Sequence, residues 1–236
     1  MNRDLDWDGS HNARDLGGLP VAGGGTTRWG AVVRSEAPQR LTGEGWAALW
    51  DHGVRTIVDL RNDDEREGEA GAVPDSLDVV HAPLDPVGDD FWAHYRDTGL
   101  HATPLCYRPI LDRRPDLVVA AAAAVARAKP GGVLVHCAGG RDRTGLLVLL
   151  LLRLAGVPAE VVADDYERSV IRQRPLWSAL GWPDEAPLIA DLLATHGTTA
   201  RAALLEVAEK LDAEAYLFGH GLVPAEVAAL RARLRG

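Results

Sequence analysis

Residues 132–136, GVLVH, run straight into the loop CAGGRDRTG, and LLVLLLLRLAG follows over 146–156. That junction restricts the fold more than any other stretch of the chain. GVLVH reads as a short, fully buried strand. The leucine-rich run is apolar nearly all round, so it reads as a central helix covered on every side. Between them stand three consecutive charges, Arg141, Asp142 and Arg143. Charge placed directly after a core strand is unfavourable unless it serves an ion.

The flanking sequence supports an α/β class. RWGAVVR (28–34), VRTIVDL (54–60) and LDVVHA (77–82) read as further strands. Thr42 is a good N-cap for a helix over about 43–52, which Gly53 ends. Residues 116–129 are alanine-rich and helical, and ProGlyGly at 130–132 stops them. Pro158 opens a helix expected over about 159–172, and others follow near 185–195, 199–211 and 224–234. The charged run 61–70 reads as loop or solvated helix. The expected fold is α/β, a central sheet flanked by helices, in a single domain over 1–236. Residues 86–115 show no firm period yet hold Phe91, Trp92, Tyr95 and Tyr107. A long excursion of this kind is expected to be an insertion that forms a lid.

Composition narrows the function classes. Hydrophobic residues are 47% and charged residues 25%, which suits a folded core. The net charge of -9 argues against non-specific nucleic-acid binding. Cys106 and Cys137 are the only two cysteines, too few for a disulfide scaffold and not at zinc-site spacing. The polar N-terminus lacks an apolar signal core, and no run reaches the roughly 20 apolar residues that span a bilayer. The expectation is a soluble cytoplasmic protein without stable membrane insertion, with export by another route left open.

The loop itself states a chemistry. Cys137 and Arg143 stand at C-x5-R spacing. Gly139 and Gly140 let the backbone curl into an anion nest, with Ala138 between them and the cysteine. The following helix points free N–H groups at that nest. Arg143 offers a planar pair of donors to phosphoryl oxygens. The same field favours the thiolate of Cys137, a nucleophile for phosphoryl transfer. Thr144 can hydrogen-bond the sulfur and help it leave. His136 is expected to orient the loop backbone rather than act as a base. The ATP-binding P-loop is excluded, because it requires G-x4-G-K-[ST].

HCAGGRDRTG (136–145) resembles the signature loop of the cysteine-dependent protein tyrosine phosphatases. HNARDLGG (11–18) and VDLR (58–61) narrow the resemblance to bacterial tyrosine/serine phosphatases, over most of the chain. The resemblance implies an α/β phosphatase whose best-known relative carries a helical lid. It makes Cys137 the nucleophile and Arg143 the phosphate-binding arginine. It matches Asp142 to an acidic loop residue of some lipid-active relatives, and Arg141 to a usual lysine. Substrate contacts are then expected from His136, Ala138, Gly139, Gly140, Arg141 and Thr144. The general acid is Asp142 or, second, Asp85 at the end of HAPLD. Arg14 and Asp15 are expected to buttress the loop from the N-terminal segment, and Asp59 and Arg61, at the end of a core strand, to pair with their neighbours. Asp165 is either a partner of an active-site arginine or part of a solvated helix face. The implied function is hydrolysis of phosphotyrosine, and of phosphoserine or phosphothreonine, through a phosphocysteine. A phosphoinositide or other small phosphate ester is the alternative substrate. No cofactor or metal is expected, since the loop supplies the positive charge.

Overall fold

The structure, a computed structural model, describes residues 2–67 and 73–235. Five strands make one sheet: β1 (Arg14–Asp15), β2 (Val32–Ser35), β3 (Val54–Asp59), β4 (Asp78–His81) and β5 (Gly132–His136). Their order is β1-β2-β5-β3-β4. β1 runs antiparallel to β2, and the other neighbours are parallel. Ser35, His136, Asp59 and His81 therefore end in register on one edge. That edge, beyond the carboxyl ends of parallel strands, is where open α/β sheets bind ligands.

Side-chain alternation builds two cores. Val133 and Val135 of β5 face the larger cluster, and Leu134 faces the smaller one with Val33, Leu49 and Ile57. The larger core centres on α5 (Asp142–Leu154), where every residue from Leu146 to Leu152 is buried. α4 (Pro115–Arg127) packs beside it through Val118, Ala121, Ala122 and Val125. Small alanines let the two helices approach closely. Across the sheet lies α1 (Gly43–Asp51), whose N-cap is Thr42, accepting from Gly45 N at 3.2 Å.

Residues 86–115 fold into α2 (Asp90–Asp97), two short 3-10 turns and α3 (Tyr107–Arg113). Trp92, Cys106, Tyr107, Ile110 and Leu111 anchor this segment in the core. The C-terminal part is helical: α6 (Ala159–Leu180), α7 (Ala186–Thr195), α8 (Ala200–Lys210), α9 (Ala213–Gly219) and α10 (Pro224–Leu234).

Two local expectations change, and one alternative is resolved. The strand expected over 28–34 is confined to Val32–Ser35, because Gly30 at φ 69° makes a turn before it. The helix expected to stop near 172 continues to Leu180 through Pro175, with Gln173 and Leu176 buried. Residues 61–67 of the charged run form turns rather than a helix, and 68–70 lie outside the described residues. No helix among the described residues is long and apolar enough to cross a membrane.

Candidate active site

The loop after β5 is shaped by where its carbonyls are tied. Ala37 N donates to Ala138 O at 3.0 Å. Gly139 O accepts from Asn12 Nδ2 at 3.0 Å and from Gln173 Nε2 at 2.5 Å. Gly140 O accepts from Arg34 Nη2 at 2.8 Å. Because each peptide is planar, a carbonyl turned outward sends the next N–H inward. Among the described residues, the amides of Ala138 to Thr144 find no acceptor within the protein. A curl of free N–H groups leading into a helix N-terminus is an anion nest. Gly140 sits at φ 69°, and a Cβ there would lie 2.2 Å from Ser35 O. Gly145 is required for a different reason: a Cβ would meet Tyr107 Oη at 2.5 Å. That hydroxyl donates to Asp142 O and fixes the first turn of α5.

Cys137 is free and only 3% exposed, and it lines a cavity of about 220 Å³. Ala138, Gly139 and Arg143 of the loop line it too. Asp85, His101, Ala102, Gln173, Trp177 and Glu185 bring the rest of the chain to the same cavity. A larger cleft of about 490 Å³ between β4 and α4 contains none of the loop residues, so chemistry rather than size marks the site.

Arg143 is held end-on by Glu65, with Nη2 donating to Oε1 at 2.7 Å and Nη1 to Oε2. Its Nη1 also lies 3.3 Å from Asp85 Oδ2. Burial works against its charge, but the Glu65 hydrogen bonds, then the Cys137 and Asp85 charges, outweigh it and push its pKa up. Glu65 was not singled out by the sequence. It belongs to a run of acidic residues in which no spacing distinguishes one from the next.

The two acid candidates differ in surroundings. Asp142 already accepts twice, from Tyr166 Oη at 2.7 Å and from Arg141 Nε at 3.0 Å. Asp85 accepts from Asn62 Nδ2 at 3.2 Å. Burial raises the Asp85 pKa above the ordinary carboxylate value; Arg143 opposes this and the Glu65 charge adds to it.

The remaining expected residues take these positions. His136 is buried and contacts Cys137 O through Nδ1 at 3.1 Å, with Asp59 Oδ1 3.7 Å from Nε2. Burial works against ionisation of Asp59, but the bonds from Arg61 and the nearby His136 hold its pKa to about 2. Arg141 also donates to Ala102 O at 3.2 Å, tying the loop to the 86–115 segment. Thr144 Oγ1 is buried with no hydrogen-bond partner, so the expected bond to the sulfur is not made. Asp15 accepts from Gly17 N and Gly30 N rather than from the loop. Asp165 pairs with Arg3, Arg14 and Arg34, not with Arg143, and is no solvated face. Cys106 is buried apart, with its Sγ 3.1 Å from Thr103 O.

The model of the tyrosine phosphatase family matches residues 5–236. A Cupriavidus necator protein named, provisionally, as a tyrosine-protein phosphatase is 32% identical over 171 residues, covering 70% of this chain and 63% of that protein. The triple specificity protein phosphatase PtpB of Mycobacterium tuberculosis is 29% identical, covering 68% of this chain and 67% of PtpB. Among solved structures, P. aeruginosa TpbA in complex with phosphotyrosine aligns with 80% of this chain and 85% of its own, at 18% identity and TM-score 0.39. The chain thus spans about two thirds of the length of these two sequence relatives.

Proposed function

The chain belongs to the tyrosine phosphatase family, and from that premise we propose that it hydrolyses phosphotyrosine in proteins or peptides through a phosphocysteine. The observation that carries this reading is the run of loop amides with no acceptor among the described residues, in a loop that lines one cavity together with the buried Cys137 and Arg143. In the first step the Cys137 Sγ attacks phosphorus in line. The loop amides and Arg143 stabilise the equatorial oxygens. The P–O bond to the leaving group breaks, and a carboxylic acid protonates that oxygen. In the second step water attacks the phosphocysteine, the same carboxylate takes its proton, and the P–S bond breaks.

Asp85 is our choice for that acid. A group that must hold a proton near neutral pH gains from a raised pKa, and Asp85 has one. Asp142 has both its carboxylate oxygens engaged, by the Arg141 guanidinium and the Tyr166 phenol, which fits a role in shaping the loop. Asp85→Asn is expected to lower kcat about 100-fold on phosphoserine peptides, whose alkoxide leaves poorly, and less on nitrophenyl phosphate. The wild-type kcat should decline as pH rises through the Asp85 pKa, and the variant should lack that limb. Unchanged kcat on phosphoserine in Asp85→Asn would move the role to Asp142.

Activity on phosphoserine and phosphothreonine is part of the proposal, supported by the triple specificity in the name of PtpB. A phosphoinositide is the second reading. It is less favoured, because Arg141, the extra loop cation, is already engaged by Asp142 and Ala102 O. The core anchors of 86–115 support a fixed lining of the cavity rather than a mobile lid. The deciding assay is hydrolysis of a phosphotyrosine peptide in EDTA and reductant, with a phosphoinositide alongside. Peptide turnover in EDTA is the expected result. Turnover of the lipid alone would replace the protein substrate with the second reading.

A further inference from the structure

Arg14 and Arg34 face each other in register on β1 and β2. Both side chains are essentially out of solvent, at 0% and 1% exposure. Two like charges directly opposite on neighbouring strands repel, and each is desolvated as well. Asp165 reconciles them. Its Oδ2 accepts from Arg34 Nη1 at 2.7 Å, its Oδ1 from Arg14 Nε at 3.1 Å, and Arg3 closes the group from the edge. Burial works against the Asp165 charge, yet Arg14, Arg34 and Arg3 hold its pKa well below the usual range. Burial, then the charge of Arg34, pull the Arg14 pKa down to about 9. Three guanidiniums to one carboxylate leave net positive charge packed beneath the loop.

An arrangement this unfavourable needs a purpose, and Arg34 shows where it is directed. While Nη1 holds Asp165, Nη2 donates to Gly140 O at 2.8 Å and reaches Arg141 O at 3.3 Å. Those two carbonyls belong to the peptides whose N–H groups are Arg141 N and Asp142 N. Donation from a cation to a carbonyl polarises that peptide and makes its N–H a stronger donor. It also fixes the plane, so the N–H cannot swing away from the cavity. Asn12 repeats the device one peptide earlier: its Oδ1 accepts from Arg14 Nη1 at 2.7 Å and its Nδ2 donates to Gly139 O.

We infer that Arg34, held by Asp165, is a positioning residue that turns and polarises the loop amides for the phosphate group. The inference rests on the reading of the loop as a phosphate site. Arg34 touches no substrate in this role; it acts through the Gly140 and Arg141 carbonyls.

The test is protection of Cys137 from iodoacetamide by inorganic phosphate, read at that cysteine by peptide mass spectrometry, together with kcat and KM on a phosphotyrosine peptide. Arg34→Met keeps the bulk and removes the donors. It is expected to raise the half-protecting phosphate concentration about 10-fold and to lower kcat by about 10- to 100-fold, by analogy with the range seen when the outer hydrogen-bond partners of metal ligands are lost. Arg34→Lys keeps charge but has no fork, and it should recover part of both. A folded Arg34→Met protein with wild-type protection overturns the inference, whatever its melting temperature. Should Arg34→Met fail to fold by circular dichroism, Arg34→Lys decides: weakened protection supports the role and wild-type protection overturns it. If phosphate gives the wild type no protection, the phosphate-site reading fails and this inference with it.

Discussion

Cys137→Ser is expected to abolish turnover, by at least about 10⁴-fold, while leaving the protein folded. Serine keeps the volume at a position that is 3% exposed, so the core around it needs no repacking. The hydroxyl, however, stays protonated where a thiol can ionise, and it is a far weaker nucleophile toward phosphorus. The loop amides and Arg143 remain, so a phosphotyrosine peptide should still bind. Two measurements check this. Steady-state hydrolysis gives the loss of rate, and a titration of the variant with peptide gives the retained affinity. Acid quenching of the wild type during turnover should trap phosphate on Cys137, and the variant should trap none. Turnover near the wild-type level in Cys137→Ser would remove the covalent mechanism altogether.

Arg143→Ala should damage binding and rate together, lowering kcat/KM on the order of 10³-fold, as expected for the loss of a donor aimed at developing charge. The damage has a second origin. Glu65 and Asp85 both lie against the Arg143 guanidinium. Removing the cation leaves two half-buried carboxylates that both accept from Asn62. Arg143 holds the Asp85 pKa down and the Glu65 charge raises it. The substitution should therefore move the Asp85 pKa further up, and the alkaline limb of kcat should shift to higher pH. Arg143→Lys restores the charge without the planar fork, so it should recover the pH profile better than it recovers kcat/KM. Steady-state rates across pH on both variants check these outcomes. Equal pH limbs in wild type and Arg143→Ala would show that Asp85 is not the titrating acid.

Much of the site was legible because it is contiguous. The loop from Cys137 to Gly145 carries its own glycines, its cation and its position between a strand and a helix, all within one short window. The strand pattern was legible for a related reason. β3 and β5 are buried along almost their whole length, so they read as apolar runs. Strand β1 was not legible: two residues, Arg14 and Asp15, carry no apolar alternation, and pairing with β2 on one side and a bridge to Asp4 on the other make them a strand. The end of α6 was hidden by Pro175, which reads as a helix stop until Gln173 and Leu176 are seen to be buried.

By itself, the sequence determined the α/β class, the loop between a buried strand and a buried helix, and the C-x5-R spacing of Cys137 and Arg143. Those depend on periodicity and on groups that are neighbours along the chain. Only the tertiary structure decided which distant side chains complete the site. Glu65 reaches Arg143 across 78 positions, and Arg34 reaches Gly140 across 106. It also separated two carboxylates that look equivalent in sequence, since burial beside Glu65 raises Asp85 while donors surround Asp142. The physical reason is common to all three. Charge, burial and hydrogen-bond direction depend on distance in space, and the parallel sheet gathers residues from four strand ends onto one edge.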